Sequence, residues 1–225
     1  MEILEVLYSP GTAFAKLRGK KWAWLLPTAL SLILSVVSIS LLTSKYSVAA
    51  IMEAEMIRNG QEIPPQGVGG MVGVVSVIMY VMPIVISIIS LFVTSLILLA
   101  IVKGFSGDTS YPAMMNVSAY AGFAYGVFVT ILFMIMFASS TDLQSFNLNN
   151  PIPLNAAYFV TPEDVGKPVA ALLSGFNLMN FYLIYMLALG ASKLSERVTP
   201  GKVAGPLVAI YVVYILGKAG IAALA

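Results

Sequence analysis

Cysteine and histidine are both missing from this sequence, and charged side chains make up only 10% of its 225 residues. Without cysteine there can be no disulfide, thiolate metal site or thiol nucleophile. Without histidine the commonest general base, metal ligand and neutral-pH proton carrier is gone. A soluble domain carries about 25% charged residues, so this chain has too few to clothe a water-facing surface. It also lacks a phosphate-cradling glycine loop with its lysine, a nucleophile elbow, and paired carboxylates within an apolar run. The residues therefore support no enzyme, no cofactor and no metal site. The net charge is only +2, and nucleic acid is not an expected partner.

What the chain has instead is apolar residues, at 59% of the total, with a mean hydropathy of +0.93. Roughly 20 apolar residues in helix cross a bilayer core about 30 Å thick. Runs of that kind occur at about 22–43, 71–102, 113–138, 169–192 and 203–224. The expected fold is an all-α polytopic membrane protein, one membrane domain of five transmembrane helices. Loops 44–70 and 139–168 share one side of the bilayer. The second run is longer than one bilayer needs and contains Pro83, which should kink it by freeing a carbonyl one turn earlier. In the first loop Val48, Ile51, Met52 and Met56 repeat at helical spacing, which predicts a short helix ended by Asn59-Gly60.

Residues 1–21 predict a short amphipathic helix in the membrane interface. Ser9 can act as N-cap, with Pro10 at the first helical position, where its missing N–H costs nothing. Phe14 and Leu17 then share a side, with Lys16, Arg18, Lys20 and Lys21 beside them. That arrangement suits either a basic flank anchoring the first span or a docking surface on anionic headgroups. The first span is long and lacks a cleavage site, as expected of an uncleaved insertion signal. An inward N-terminus puts Lys16, Arg18, Lys20, Lys21, Lys103, Lys193, Arg197 and Lys202 inside, against Lys45, Arg58, Lys167 and Lys218 outside. Eight against four favours a cytoplasmic N-terminus and, with five spans, an outward C-terminus.

Lys218 is the one ionisable group within a span, close enough to the chain end to snorkel to the interface. Ser174, Asn177 and Asn180 share a face of the fourth span, with Tyr182 nearby. They form a candidate polar face, either glue between helices or a small pocket. Ser118, Gly122 and Gly126 recur every four residues in the third span, as do Gly201, Gly205 and Ala209 in the fifth. Small residues at this period let helix backbones approach closely, within a chain or between chains. Thr28, Ser31, Ser35 and Ser38 make a similar stripe on the first span. Tyr120, Tyr125, Tyr182, Tyr185, Tyr211 and Tyr214 cluster in spans three to five.

Several segments taken together resemble a known family. The opening Leu7-Tyr8-Ser9-Pro10-Gly11-Thr12-Ala13-Phe14, followed by a basic stretch and Trp22, is similar to the N-terminal signature of short prokaryotic members of the YIP family. That is the Ypt/Rab-interacting protein family, whose shared unit is the Yip-one domain. Gly104-Phe105-Ser106-Gly107 through Ser110-Tyr111, leading into Ala119-Tyr120-Ala121, continues the likeness. So does Leu173 to Tyr182, ending in Ala188-Leu189-Gly190-Ala191-Ser192. The chain departs from the family at Ala124, where a proline is frequent, and it lacks the Asp-Leu-Tyr-Gly-Pro motif of eukaryotic members. Those members also carry a long N-terminal region not seen here, so small GTPase binding is not supported. The resemblance implies an integral membrane protein of a prokaryotic cytoplasmic (inner) membrane with a poorly defined role. Together with the amphipathic N-terminal helix and the packing-rich spans, it favours a non-catalytic protein that organises lipid or membrane partners, a second copy of itself included. The other reading that the residues leave open is a small oligomeric transporter or channel for a neutral solute or ion.

Overall fold

A computed structural model describes residues 2–58, 61–64, 66–143, 150–160 and 162–224. Two short helices, α1 (Glu2–Tyr8) and α2 (Pro10–Ala15), open the chain. They precede α3 (Leu25–Lys45), α4 (Val48–Arg58), α5 (Val72–Gly104) and α6 (Tyr111–Ser139). The rest comprises α7 (Pro162–Val165), α8 (Lys167–Gly175), α9 (Leu178–Lys193) and α10 (Pro200–Leu224). No strand occurs among the described residues.

Four helices, α3, α5 with its preceding turn, α6 and α10, are long and apolar enough to cross a bilayer. α8 and α9 meet the same test only as a pair, bent by 41° at their junction. Counted as one broken span, they bring the number of crossings to five. The fourth span is thus not the continuous helix that its hydropathy predicts. α5 has 33 residues and runs without interruption through Pro83. At 1.5 Å per residue it is about 50 Å long, well beyond the roughly 30 Å of hydrocarbon it must cross.

α6 lies at the centre of the bundle. From Met114 to Ala124 nearly every side chain is buried, because α3, α5, α9 and α1 all contact this helix. Its small residues, Ala119, Ala121 and Ala124, let those neighbours come close. At one end, the first loop's helix is anchored by Ile51, which joins Leu42, Phe137 and Leu143 in a second apolar cluster. Lys45 closes that end. Its ammonium donates to the carbonyls of Phe137 (3.3 Å) and Ser140 (3.1 Å) at the C-terminus of α6, where the helix dipole favours a cation. α4 stops at Arg58; Asn59 and Gly60, expected to end it, lie outside the described residues.

The other end is closed by α1 and α2. Ser9 does stand at the N-cap of α2 with proline at the start, although its hydroxyl bonds Thr12 Oγ1 (3.0 Å) rather than a backbone N–H. The apolar side of these helices does not lie on lipid. Phe14 is 0% exposed and Leu17 is 1% exposed, both inside the main core with Val117, Met186 and Ala191. The expectation of Phe14 and Leu17 as docking groups is therefore corrected. The reason is that α6 and α9 offer a closer-fitting apolar surface than headgroups do. The cations beside them are tied to protein too. Lys16 donates to both oxygens of Glu5 (2.7 Å each), Lys20 to Glu2 (2.7 Å) and Arg18 to Glu196 (2.7 Å). The Lys20 bond holds the Glu2 carboxyl below the ordinary carboxylate range, and the Glu5 bond raises the Lys16 ammonium. Such exposed pairs are worth about 0–1 kcal/mol each, so they orient the segment more than they hold it. Lys21 stays exposed.

Candidate functional site

The break in the fourth span gathers most of the polar groups that the sequence singles out. α8 ends at Gly175 and α9 begins at Leu178, with Asn177 as its N-cap. The Asn177 carboxamide oxygen accepts from the Met179 N–H at 2.9 Å, the bond a helix N-terminus needs. Gly175 is left with a carbonyl that no helical turn satisfies. Tyr211 of α10 donates its hydroxyl to that carbonyl at 2.5 Å and accepts from Asn180 Nδ2 at 2.6 Å. Asn180 Oδ1 in turn faces the Tyr125 hydroxyl at 3.5 Å. Lys218 donates to Ser174 Oγ at 3.0 Å, and Leu178 N–H to the Leu154 carbonyl of the second loop at 3.0 Å. Ser174, Asn177 and Asn180 are thus brought together, along with Tyr211 and Lys218. Tyr182 is not; its ring packs edge-on against Phe128 at 5.5 Å.

Every hydrogen bond of this node closes on the protein, which fits glue holding a bent span better than an open pocket. Tyr211→Phe should lower stability by about 1 kcal/mol, because it strands one Asn180 donor and leaves the Gly175 carbonyl with the Asn177 N–H as its one remaining donor. Thermal unfolding in detergent checks this; an unchanged melting temperature would mean that the bent span is held without the hydroxyl.

The glycines divide differently from what their spacing suggests. A Cβ on Gly122, Gly126, Gly201 or Gly205 would meet nothing within 4 Å. Among the described residues the periodic glycines therefore make no close helix contact, which counts against packing within the chain and leaves contact between chains. The close approaches are at isolated glycines. A Cβ on Gly107 would lie 2.5 Å from Val102 and 2.7 Å from Ser195; on Gly175, 2.7 Å from Ile215; on Gly190, 2.6 Å from Val117 and 2.9 Å from Phe14. No periodicity marks these three. The only sign of them in the sequence is that each falls within a segment carrying the family likeness.

Gly122 and Gly126 instead border open space. Two adjoining cavities, of about 270 and 480 Å³, lie between α3, α5 and α6. Ser31, Ser87, Gly122 and Tyr125 line both. Pro83 lines the larger, and Ser118 the smaller. Tyr125 therefore stands between this groove and the polar node at the break. Two features of this region escape hydropathy and spacing, the broken helix and the groove. The first had a local signal: Gly175 followed by Asn177 is a helix stop and a helix start in succession.

The five-span arrangement, the docked N-terminal hairpin and the tight glycines coincide with the segments noted above, and a comparison with family models settles their origin. The model for the Yip1 domain matches residues 4–222. The chain belongs to the Yip1 family. Comparison with curated proteins and with solved structures found no match. The match spans the two N-terminal helices and every candidate crossing, so the docked hairpin belongs to the Yip1 domain itself.

Proposed function

We propose that this Yip1-family protein is a non-catalytic organiser, which gathers membrane partners or lipid against its outward faces in a prokaryotic cytoplasmic membrane, its N-terminus inward. One observation carries this reading. On α10, Gly201, Gly205 and Ala209 form an exposed ridge that no described residue fills. Small residues at this spacing suit the close approach of another helix. The glycines that the fold itself needs lie elsewhere, which leaves the ridge free for a second chain. The absence of cysteine makes the test clean, since Ala209→Cys introduces a single thiol. Oxidative or short-spacer crosslinking in native membranes should trap a second copy or a discrete membrane protein. Gly205→Leu should abolish that product while leaving the melting temperature of the purified chain unchanged. A thiol that reacts with small reagents yet crosslinks to nothing would defeat the organiser reading.

The hydroxyl-lined groove favours a second reading, a carrier of neutral solutes. Flux of an uncharged solute into proteoliposomes, abolished by Gly122→Leu, would establish it in place of the first.

A further inference from the structure

The groove between α3, α5 and α6 has properties that the organiser reading does not use. It follows α3 from Thr28 to Leu42, a rise of about 21 Å at 1.5 Å per residue. Most of its lining is apolar, with Leu32, Ile86 and Leu91 in one part and Leu34, Val129 and Phe133 in the other. Among the described residues that line it there is no Lys, Arg, Asp or Glu. A charged headgroup would find no partner there, and burying one unpaired is prohibitively costly.

The polar groups it does contain are hydroxyls, and those of α3 are bonded in one direction. Thr28 donates to the Trp24 carbonyl (2.7 Å), Ser31 to Pro27 (2.8 Å), Ser35 to Ser31 (3.1 Å) and Ser38 to Leu34 (2.8 Å). Each has spent its hydrogen on its own helix and presents only oxygen lone pairs to the groove. Across from them, Ser118 is 7% exposed and its Oγ has no hydrogen-bond partner, although it lines the smaller cavity. A buried hydroxyl left unpaired costs free energy unless something fills the space beside it and bonds to it.

The size of the space limits what that something is. Small-molecule sites occupy roughly 300–1,000 Å³, the range in which the larger cavity falls. A spanning helix about 10 Å wide and 30 Å long displaces over roughly 2,000 Å³, several times either cavity. Either cavity therefore has room for a hydrocarbon chain but not for the whole of a second helix. We propose that the groove binds an uncharged lipid with a long hydrocarbon chain and a free hydroxyl. The chain lies along the apolar lining, and the hydroxyl donates to the row of acceptors on α3 and accepts from Ser118. Bulk bilayer phospholipids carry a charged phosphate and are excluded from the polar part by the uncharged lining. The inference concerns the inner groove, stands apart from the α10 ridge, and holds whether or not that ridge recruits a partner.

The test uses the full chain in detergent–lipid micelles and a photoactivatable long-chain fatty alcohol carrying a diazirine on its chain. Its methyl ether and a phosphatidylglycerol with the same labelled chain serve as comparisons. Labelled peptides should come from 25–45, 72–104 and 111–139, at groove-lining residues. Labelling by the ether should fall about fivefold, as loss of one net hydrogen bond implies. Ser118→Ala should lower labelling by the alcohol and by the ether by about the same factor, because the ether oxygen still accepts from the Ser118 hydroxyl although it can no longer donate to α3. Gly122→Leu and, independently, Gly126→Leu should block labelling, because each side chain enters open space rather than protein; unfolding curves confirm that both remain folded. Equal labelling by alcohol and ether, preference for the anionic lipid, or label confined to outward faces such as Val213 and Ile221 would overturn the proposal. So would crosslinking of a second polypeptide within the groove.

Discussion

Phe14→Ala is expected to lower stability by about 3–5 kcal/mol, the cost of deleting a fully buried aromatic side chain and leaving a cavity. For a chain of this length that corresponds to a fall of roughly 10 °C in melting temperature. The prediction discriminates sharply between two positions for the N-terminal segment. On a lipid surface, truncating Phe14 would loosen contact with the membrane and leave the bundle untouched. In the core, it removes the group that fixes α1 and α2 to α6 and α9. Ile3, Val6, Ala13 and Leu17 share the same core, and Asn116 Nδ2 donates to the Lys20 carbonyl at 2.6 Å. Phe14 is nonetheless the largest of these buried side chains, and the exposed ion pairs add little. Limited trypsin digestion should then cut faster at Lys16, Arg18 and Lys20, whose exposed side chains lie on backbone that docking no longer holds in place. Unfolding in detergent micelles gives the stability; an unchanged midpoint together with an unchanged rate of cutting would show that Phe14 does not hold the hairpin.

The crossings were legible because hydropathy over 20 residues is a bulk property, insensitive to how the backbone bends within a run. For that same reason it hid the break at Phe176 and Asn177, where the sequence stays apolar while the hydrogen-bond ladder stops. Asn177 and Asn180 were recognisable as partners on one face. The groups that complete the node, Tyr211 on Asn180 and Lys218 on Ser174, are more than 30 residues away, and only tertiary packing brings them near. The amphipathic pattern of residues 1–17 was equally plain, but an apolar side does not say whether lipid or protein will cover it. Here α6 and α9 cover it, and the Glu2, Glu5 and Glu196 carboxylates claim the cations that headgroups would otherwise attract. The stripe Thr28, Ser31, Ser35 and Ser38 looked like a packing seam and faces a groove, since spacing reports which residues share a side and not what stands opposite.

Glycine spacing misled in the same way, and the contrast yields the second large effect. Gly190→Ala should cost about 1–3 kcal/mol, and Gly190→Leu substantially more. The added methyl would lie 2.6 Å from Val117 Cγ1 and 2.9 Å from Phe14 Cε1, inside any tolerable contact. Neither neighbour has space to retreat, because both are fully buried. Gly122→Leu, a far larger change at a site in a regular repeat, should fold with little loss because its side chain enters the groove. Thermal unfolding of the two leucine variants side by side gives the comparison, and an equal loss in both would contradict the assigned surroundings of these glycines. The cause of the Gly190 penalty can be isolated further. In a Phe14→Ala background the ring that opposes the new methyl is gone, leaving Val117 as the main obstacle. Gly190→Ala should then cost less than it does in the parent chain, a coupling expected of residues in direct contact and absent between independent sites. Strict additivity of the two substitutions would mean that the Phe14 ring does not rest on the Gly190 backbone, and that the N-terminal hairpin is docked by other contacts.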